Sequence, residues 1–386
     1  MIGRRQLICG ALGLLPAGPI KASTDEPTQS SSNLASNVGE MLMLGFAGNS
    51  VDSPSAQRLA DHIEAKRVRA VVFVKENVGS REEVSRLVQL FSAKSTPLIA
   101  IDHEGGFVQR LGERHGFTTI ASARAIAATL SVREAQAVYE KAATELASLG
   151  FNVNLAPVVD LHDPDCPEIG RYDRAFASDP ATVAAYAEAF IDGFASTGIQ
   201  CALKHFPGEG HSRIDTHHSL SDITATWSEQ DIEPYLRLFA TNRARIVMCS
   251  HVRLEKIEKK PIPITLSSAA VRGFLREKLG FPGVIMTDDL DMAATGGIID
   301  PWRRLLAKTL GISGPARERR ETVIRAIAAG NDLLMIRNAS GFDADLPQKV
   351  TSWVQEAIDE GTLNEGRIAE SAERVRRLKQ SQSTRN

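Results

Sequence analysis

The sequence predicts a single (β/α)8 barrel, and three observations point there. Eight short apolar runs alternate strictly with eight longer segments of helical period. Several of the runs are apolar on both faces, as strands of a parallel sheet covered by helices must be. Five of them lead directly into charged or imidazole side chains at the carboxyl end, where a barrel gathers its active loops. The 386 residues suit one such unit, because the fold absorbs roughly 250 to over 400 residues as a single domain. An open doubly wound sheet is the competing arrangement, but it wants a GxGxxG turn after its first strand and none is present.

The elements follow in order. MLMLGF (41–46) opens the series and feeds a helical pattern at 55–66; AVVFV (70–74) feeds 81–93. PLIAI (97–101) runs into Asp102-His103-Glu104 and is followed by 131–149. VNLAPVV (153–159) ends on Asp160 before a pattern at 180–197. CALKHF (201–206) carries Lys204 and His205 and precedes 228–241. RIVMCS (245–250) leads to His251 and 267–279; GVIMT (283–287) leads to Asp288-Asp289 and 317–329; DLLMI (332–336) leads to 348–360. Chance would not place so many ionisable groups at one end of the strands.

The barrel is expected over 38–380, with a polar linker at 23–37 and a frayed tail at 381–386. Residues 1–22 have the layout of an export signal: Arg4-Arg5, a short apolar run from Leu7 to Ile20, then small residues at Ala22-Ser23. The paired arginines resemble a twin-arginine signal, which predicts a periplasmic protein; a cytoplasmic one with an apolar N-terminus is the alternative. The run is too short and too broken by Gly and Pro to span a bilayer. Lys+Arg 45 against Asp+Glu 47 leaves a charge of −2, without the basic excess that gripping nucleic acid requires. Cys9, Cys166, Cys201 and Cys249 have no metal-type spacing, and Cys9 would leave with the signal.

Three strings carry chemistry. In IDHEGGFVQRL (101–111) the two glycines let the backbone turn sharply beside a ligand, and Arg110 can aim its forked donor back towards the same pocket. In KHFPGEGHSRIDTHHSL (204–220) a compact Pro-Gly loop carries Asp215 two residues before His217, a spacing that suits a carboxylate orienting an imidazole. Zinc held by His205, His211, His217 and Asp215 is a second reading of that string, without any HExxH-type pair to support it; solvated loop histidines are a third. In GVIMTDDLDM (283–292) two adjacent carboxylates must diverge, so that one can serve as nucleophile while the other anchors the loop.

In order and spacing these strings resemble glycoside hydrolase family 3, in its β-N-acetylhexosaminidase branch. The family's IDQEGGRVQR, APV-x-D, R-x-F-x-x-DP, KHFPGHG…DSH, VM-x-x-H and SDDL-x-M stand here as IDHEGGFVQR, APVVD, RAFASDP (174–180), KHFPGEG…DTH, VMCSH (247–251) and TDDLDM. The resemblance implies that Asp288 is the nucleophile and that His217 is the general acid/base, with Asp215 as its partner. It implies that Asp102, Arg110, Arg174, Lys204 and His205 hold the sugar. The implied enzyme is a retaining β-N-acetylglucosaminidase that acts as a monomer on small carbohydrates, trimming N-acetylglucosamine from peptidoglycan fragments, with no cofactor and no metal. A β-glucosidase or β-xylosidase of the same family, or a sugar-binding barrel without catalysis, are the alternatives. Three departures stand out: His103 for the usual Gln, Phe107 for the usual Arg, and Glu209 for the usual His. The stretch 293–320 is longer than the family's norm and reads either as a surface insertion or as a wall on the leaving-group side.

Overall fold

The computed structural model describes residues 29–93, 95–216, 219–292, 315–339 and 341–383. Among them, eight parallel strands form one sheet: β1 (Leu42–Leu44), β2 (Ala70–Phe73), β3 (Leu98–Ile101), β4 (Val153–Asn154), β5 (Gln200–Phe206), β6 (Ile246–Cys249), β7 (Val284–Thr287) and β8 (Leu334–Ile336). Neighbours in space are neighbours in sequence, and β8 returns to pair with β1, Leu42 facing Leu334. On the other side a bridge from Met286 to Leu333 and a Thr287 N–H bond to the Leu333 carbonyl (3.0 Å) join β7 to β8. The sheet is thus a closed barrel, as the alternating pattern predicts.

Period-2 packing explains why the strands are apolar on both faces. Met43, Val72, Leu98, Ala100, Ile246, Met248 and Met286 point inwards and fill the barrel. Their neighbours Leu42, Leu44, Val71, Phe73, Ile99 and Val247 point outwards under the helices. Cys166, Cys201 and Cys249 are buried free thiols.

The predicted helices appear within a few residues of their expected bounds, with two local differences. The segment 228–241 divides into a tight turn, Glu229–Ile232, and a helix, Glu233–Ala240, because Pro234 suits the first turn of a helix and not its interior. Ala269–Lys278 is wound more widely, as a π-helix.

Two assignments are corrected. The linker expected at 23–37 is helical from Gln29, in a helix that runs to Glu40. Its few apolar residues, Leu34 and Val38, are buried, and it packs on the last helix, Glu365–Ser383. Arg376 donates to Asn37 Oδ1 (3.1 Å) and Lys379 to Glu40 (2.8 Å), so partners more than 300 residues away stabilise it. The same helix carries the chain through Ser383, into the tail expected to fray. Val375 and Leu378 from it close one end of the barrel core. The export signal at 1–22, Cys9, most of 293–320, and His217 lie outside the described residues. Among the described residues no helix is long and apolar enough to cross a membrane.

Candidate active site

The carboxyl ends of the strands surround a cavity of about 310 Å³ lined by Asp102, Arg110, Arg174, Lys204, His205, Asp215 and Asp288, with Glu168, Phe107 and Tyr172 beside them. Every described residue that the sequence assigns to the site reaches this one space.

β3 delivers Asp102, and a hairpin of His103–Gly105 with Val108–Gln109 follows at once. Its turn needs glycine twice: Gly105 has φ +102° and Gly106 φ +57°, and a Cβ on Gly106 would lie 2.8 Å from the Ser122 backbone. That turn brings Arg110 back onto Asp102, Nη2 to Oδ2 3.3 Å. It also puts Phe107, 65% exposed, face to face with Tyr172, ring centroids 3.9 Å apart. The cavity therefore has a charged part and an aromatic part.

β5 brings Lys204 between two carboxylates, Asp102 Oδ1 at 2.8 Å and Glu104 Oε1 at 2.7 Å. Arg174 closes on Glu104 through two parallel bonds of 2.8 and 2.9 Å. The result is a chain of alternating charges, Arg110–Asp102–Lys204–Glu104–Arg174. Buried ions are tolerated because each is paired and hydrogen-bonded. Burial works against the charge on Glu104, but Arg174 and Lys204 outweigh it and hold the carboxyl at about 2. Asp102 is held well below its usual range in the same way, by Lys204 and Arg110 against burial. Lys204 in turn is raised, the two carboxylates overcoming its burial. Glu104 is a site residue whose role the sequence did not assign; its place in the IDHEGG string was visible, but its partners come from β5 and from the loop after β4.

Asp160, fully buried at the exit of β4, accepts from His205 Nδ1 (2.7 Å), His205 N (3.2 Å) and Glu209 N (2.8 Å). His205 is desolvated, yet Asp160 raises its pKa. The peptide bonds Lys204–His205 and Phe206–Pro207 are cis. His211 instead bonds Asp231, Nδ1 to Oδ1 2.9 Å. Two of the three histidines in the zinc reading thus serve different carboxylates, and among the described residues no group of three or more His, Cys, Asp or Glu side chains is placed to hold a metal ion.

β7 delivers the acidic pair, which diverges as the sequence requires. Asp288 lines the cavity. Its partial burial opposes ionisation, but His251, His205, the Asp289 N–H and Lys204 outweigh this and lower its pKa. Asp289 turns away: Oδ1 accepts from Asp291 N (3.1 Å) and Arg337 N (2.9 Å), joining the β7 and β8 exits. Burial pushes its carboxyl up to about 6. His251 bridges Thr265 Oγ1 (2.9 Å) and the Asp289 carbonyl (3.0 Å) behind them.

The three departures have distinct places. Phe107 is at the aromatic part of the cavity. His103 is buried at the base of the hairpin, opposite Gln109, with neither ring nitrogen partnered among the described residues, and burial lowers its pKa to about 4. Glu209 does not face the cavity; its oxygens bond Thr216 Oγ1 (3.0 Å) and Ser250 Oγ (2.6 Å).

The sequence profile of the glycosyl hydrolase family 3 N-terminal domain matches residues 33–378. A protein of Xylella fastidiosa strain M23 named Beta-hexosaminidase is 37% identical over 270 residues, 67% of this chain and 77% of its own length. Another so named, from Aromatoleum aromaticum, is 32% identical over 318 residues, 79% and 81% of the two chains. Among solved structures, a glycoside hydrolase family 3 β-N-acetylglucosaminidase from Paenibacillus sp. FPU-7 superposes with a TM-score of 0.76 at 28% identity, over 92% of this chain and 63% of that one. The β-N-acetylhexosaminidase of Beutenbergia cavernae superposes with a TM-score of 0.74 at 28% identity, over 90% and 98%. With its profile matched from end to end of the barrel, this chain belongs to glycosyl hydrolase family 3.

Proposed function

We propose that this chain is a retaining β-N-acetylglucosaminidase that removes terminal N-acetylglucosamine through a covalent glycosyl-enzyme. The observation that carries the reading is Asp288: a carboxylate kept ionised, opening onto the cavity that also holds the alternating-charge chain and Asp215. An ionised carboxylate suits attack on an oxocarbenium-like centre. In the first step Asp288 attacks the anomeric carbon as the bond to the leaving oxygen breaks, and His217 gives that oxygen its proton. In the second, His217 takes a proton from water, whose oxygen displaces Asp288. Asp102, Arg110, Arg174, Lys204 and His205 hold the sugar in place, and Asp215 orients His217. No metal or organic cofactor takes part in either step.

Relatives named Beta-hexosaminidase favour an N-acetylated sugar over the glucose or xylose of the rival readings. A charged part and an aromatic part in one cavity fit a sugar held at one end and its leaving group at the other. Peptidoglycan fragments are the natural substrate in this reading. Action as a monomer belongs to the same reading, and the balanced charge offers nucleic acid no footing.

The test is a panel of nitrophenyl glycosides. The N-acetylglucosaminide is expected to be cleaved at least about 10²-fold faster, in kcat/KM, than the glucoside, because a site that hydrogen-bonds an amide is left with unpaired groups when the amide is missing. Exhaustive chelation is expected to leave the rate unchanged. Equal rates on the two sugars would overturn the N-acetyl assignment, and no turnover on any would favour a binding barrel.

Export is the second element of the proposal. A reporter fused after Ser36 is expected outside the cytoplasm, and changing Arg4 and Arg5 to lysine is expected to hold it inside. A reporter that remains cytoplasmic behind the native N-terminus would refute export.

A further inference from the structure

The loop that carries Asp215 is tied to the barrel by one hydroxyl shared between two buried carboxyls. Thr216 Oγ1 lies 2.9 Å from Glu168 Oε1 and 3.0 Å from Glu209 Oε1, and the Thr216 N–H also donates to Glu168 Oε1. A threonine hydroxyl has one hydrogen to give and lone pairs with which to accept. Both contacts can be hydrogen bonds only if one of the carboxyls carries a proton and donates it back to Oγ1. Glu168 Oε1 already accepts the Thr216 backbone N–H, so a proton placed on that oxygen would crowd the N–H it faces. On the far side, Ser250 Oγ accepts from Val252 N (3.2 Å), so its own hydrogen is free for Glu209 Oε2 at 2.6 Å. The remaining place for the proton is Glu209 Oε1.

We infer that Glu209, in its protonated form, is a positioning residue: it donates to Thr216, Thr216 donates to Glu168, and this bridge clamps Asp215–Thr216, the residues that lead into His217 in the sequence. The inference rests on the proposed acid/base role of His217. Ionising Glu209 leaves two anions facing one hydroxyl hydrogen, so one bond is lost and the carboxylates repel. Glu209 stands where the family's string has His, so the clamp does not follow from family membership.

The surroundings favour the neutral acid. Burial pushes the Glu209 carboxyl up to about 7, with Glu168 and Asp160 adding to the shift, and His205 and the Ser250 bond opposing it. The other groups that face it are the Cys166 thiol, which donates to the Glu209 carbonyl (3.5 Å), and the Tyr235 hydroxyl. Both are pushed up by burial and stay neutral. Arg174 reaches the Glu168 backbone carbonyl (3.0 Å), not the Glu209 carboxyl. Since the folded pKa is raised, the bridge is intact below neutrality and opens as pH rises through about 7.

The test combines spectroscopy with kinetics on the full chain. Glu209→Gln keeps a donor and an acceptor in place but cannot ionise. Difference infrared spectra of the wild type are expected to show a buried carboxylic acid band that disappears with a midpoint near 7 and is missing from E209Q; the Asp289 acid, at about 6, gives a separate component that E209Q retains. The ratio of kcat/KM at about pH 8.5 to that at about pH 6 is expected to be at least ~5-fold higher in E209Q than in wild type, since the ionisation that opens the bridge has been removed. An unchanged ratio, or an acid band identical in wild type and E209Q, would overturn the clamp. Should E209Q fail to fold, Glu168→Gln replaces it: losing the neighbouring anion is expected to move the midpoint of the band down, and an unmoved midpoint counts against the proposal. A wild type inactive on every glycoside would instead defeat the functional reading, and the infrared titration alone would then decide the clamp.

Discussion

Replacing Asp288 with Asn is expected to leave a folded protein whose kcat has fallen by roughly 10⁴-fold or more, the usual scale when a covalent nucleophile is lost. The fold is expected to survive because the substitution keeps the shape of the side chain and the oxygen that accepts the Asp289 N–H at 2.7 Å. Asp289→Asn is the matched control. Its carboxylate ties Asp291 to Arg337, so its loss is expected to lower thermal stability or raise KM while leaving much of the chemistry intact. Steady-state rates on an N-acetylglucosaminide, with melting temperatures for both variants, separate the two roles. Turnover like the wild type's in Asp288→Asn would show that the nucleophile lies elsewhere.

The contrast between these two neighbours also shows how far the sequence could be read. Two carboxylates at a strand end must diverge, whatever the fold, so one pocket residue and one anchor follow from period-2 geometry alone. The eight strands were legible for the same reason: a buried parallel strand must be apolar on both faces, and few other segments in this chain are. The helix Gln29–Glu40 was not legible, because half of its sequence is Ser and Asn and its stability comes from Arg376 and Lys379 at the far end of the chain. Propensity is a weak prior where tertiary partners decide. The site divides along the same line. Asp102, Lys204 and Asp288 announce themselves at strand ends. Glu168 lies in an irregular loop without period, and Glu209 reads as a substitution in a known turn; what they do depends on a threonine hydroxyl that only folding brings between them.

Removing His217 is expected to produce losses that depend on the leaving group, and this is the sharpest test of its role. A sugar leaves as a poor alkoxide and needs the proton; a dinitrophenolate departs with little help. His217→Ala is therefore expected to lose roughly 10²–10⁴-fold in kcat/KM on a sugar leaving group and far less on a dinitrophenyl one. The variant also lacks a base for the water step, so the glycosyl-enzyme should accumulate on Asp288 and give a burst with the activated substrate. Azide needs no base, and is expected to restore turnover and yield the β-glycosyl azide, whose retained configuration itself reports a covalent intermediate. Asp215→Asn should give a milder form of the same pattern, since that carboxylate orients the imidazole without moving the proton. Glu209 is not placed to mask the loss, because it does not line the cavity and its two oxygens are bonded to Thr216 and Ser250. The same fractional loss on every leaving group, with no effect of azide, would make His217 a binding residue. The proton would then have to come from another group at the cavity, and the acid/base half of the mechanism would fall while the nucleophile stood.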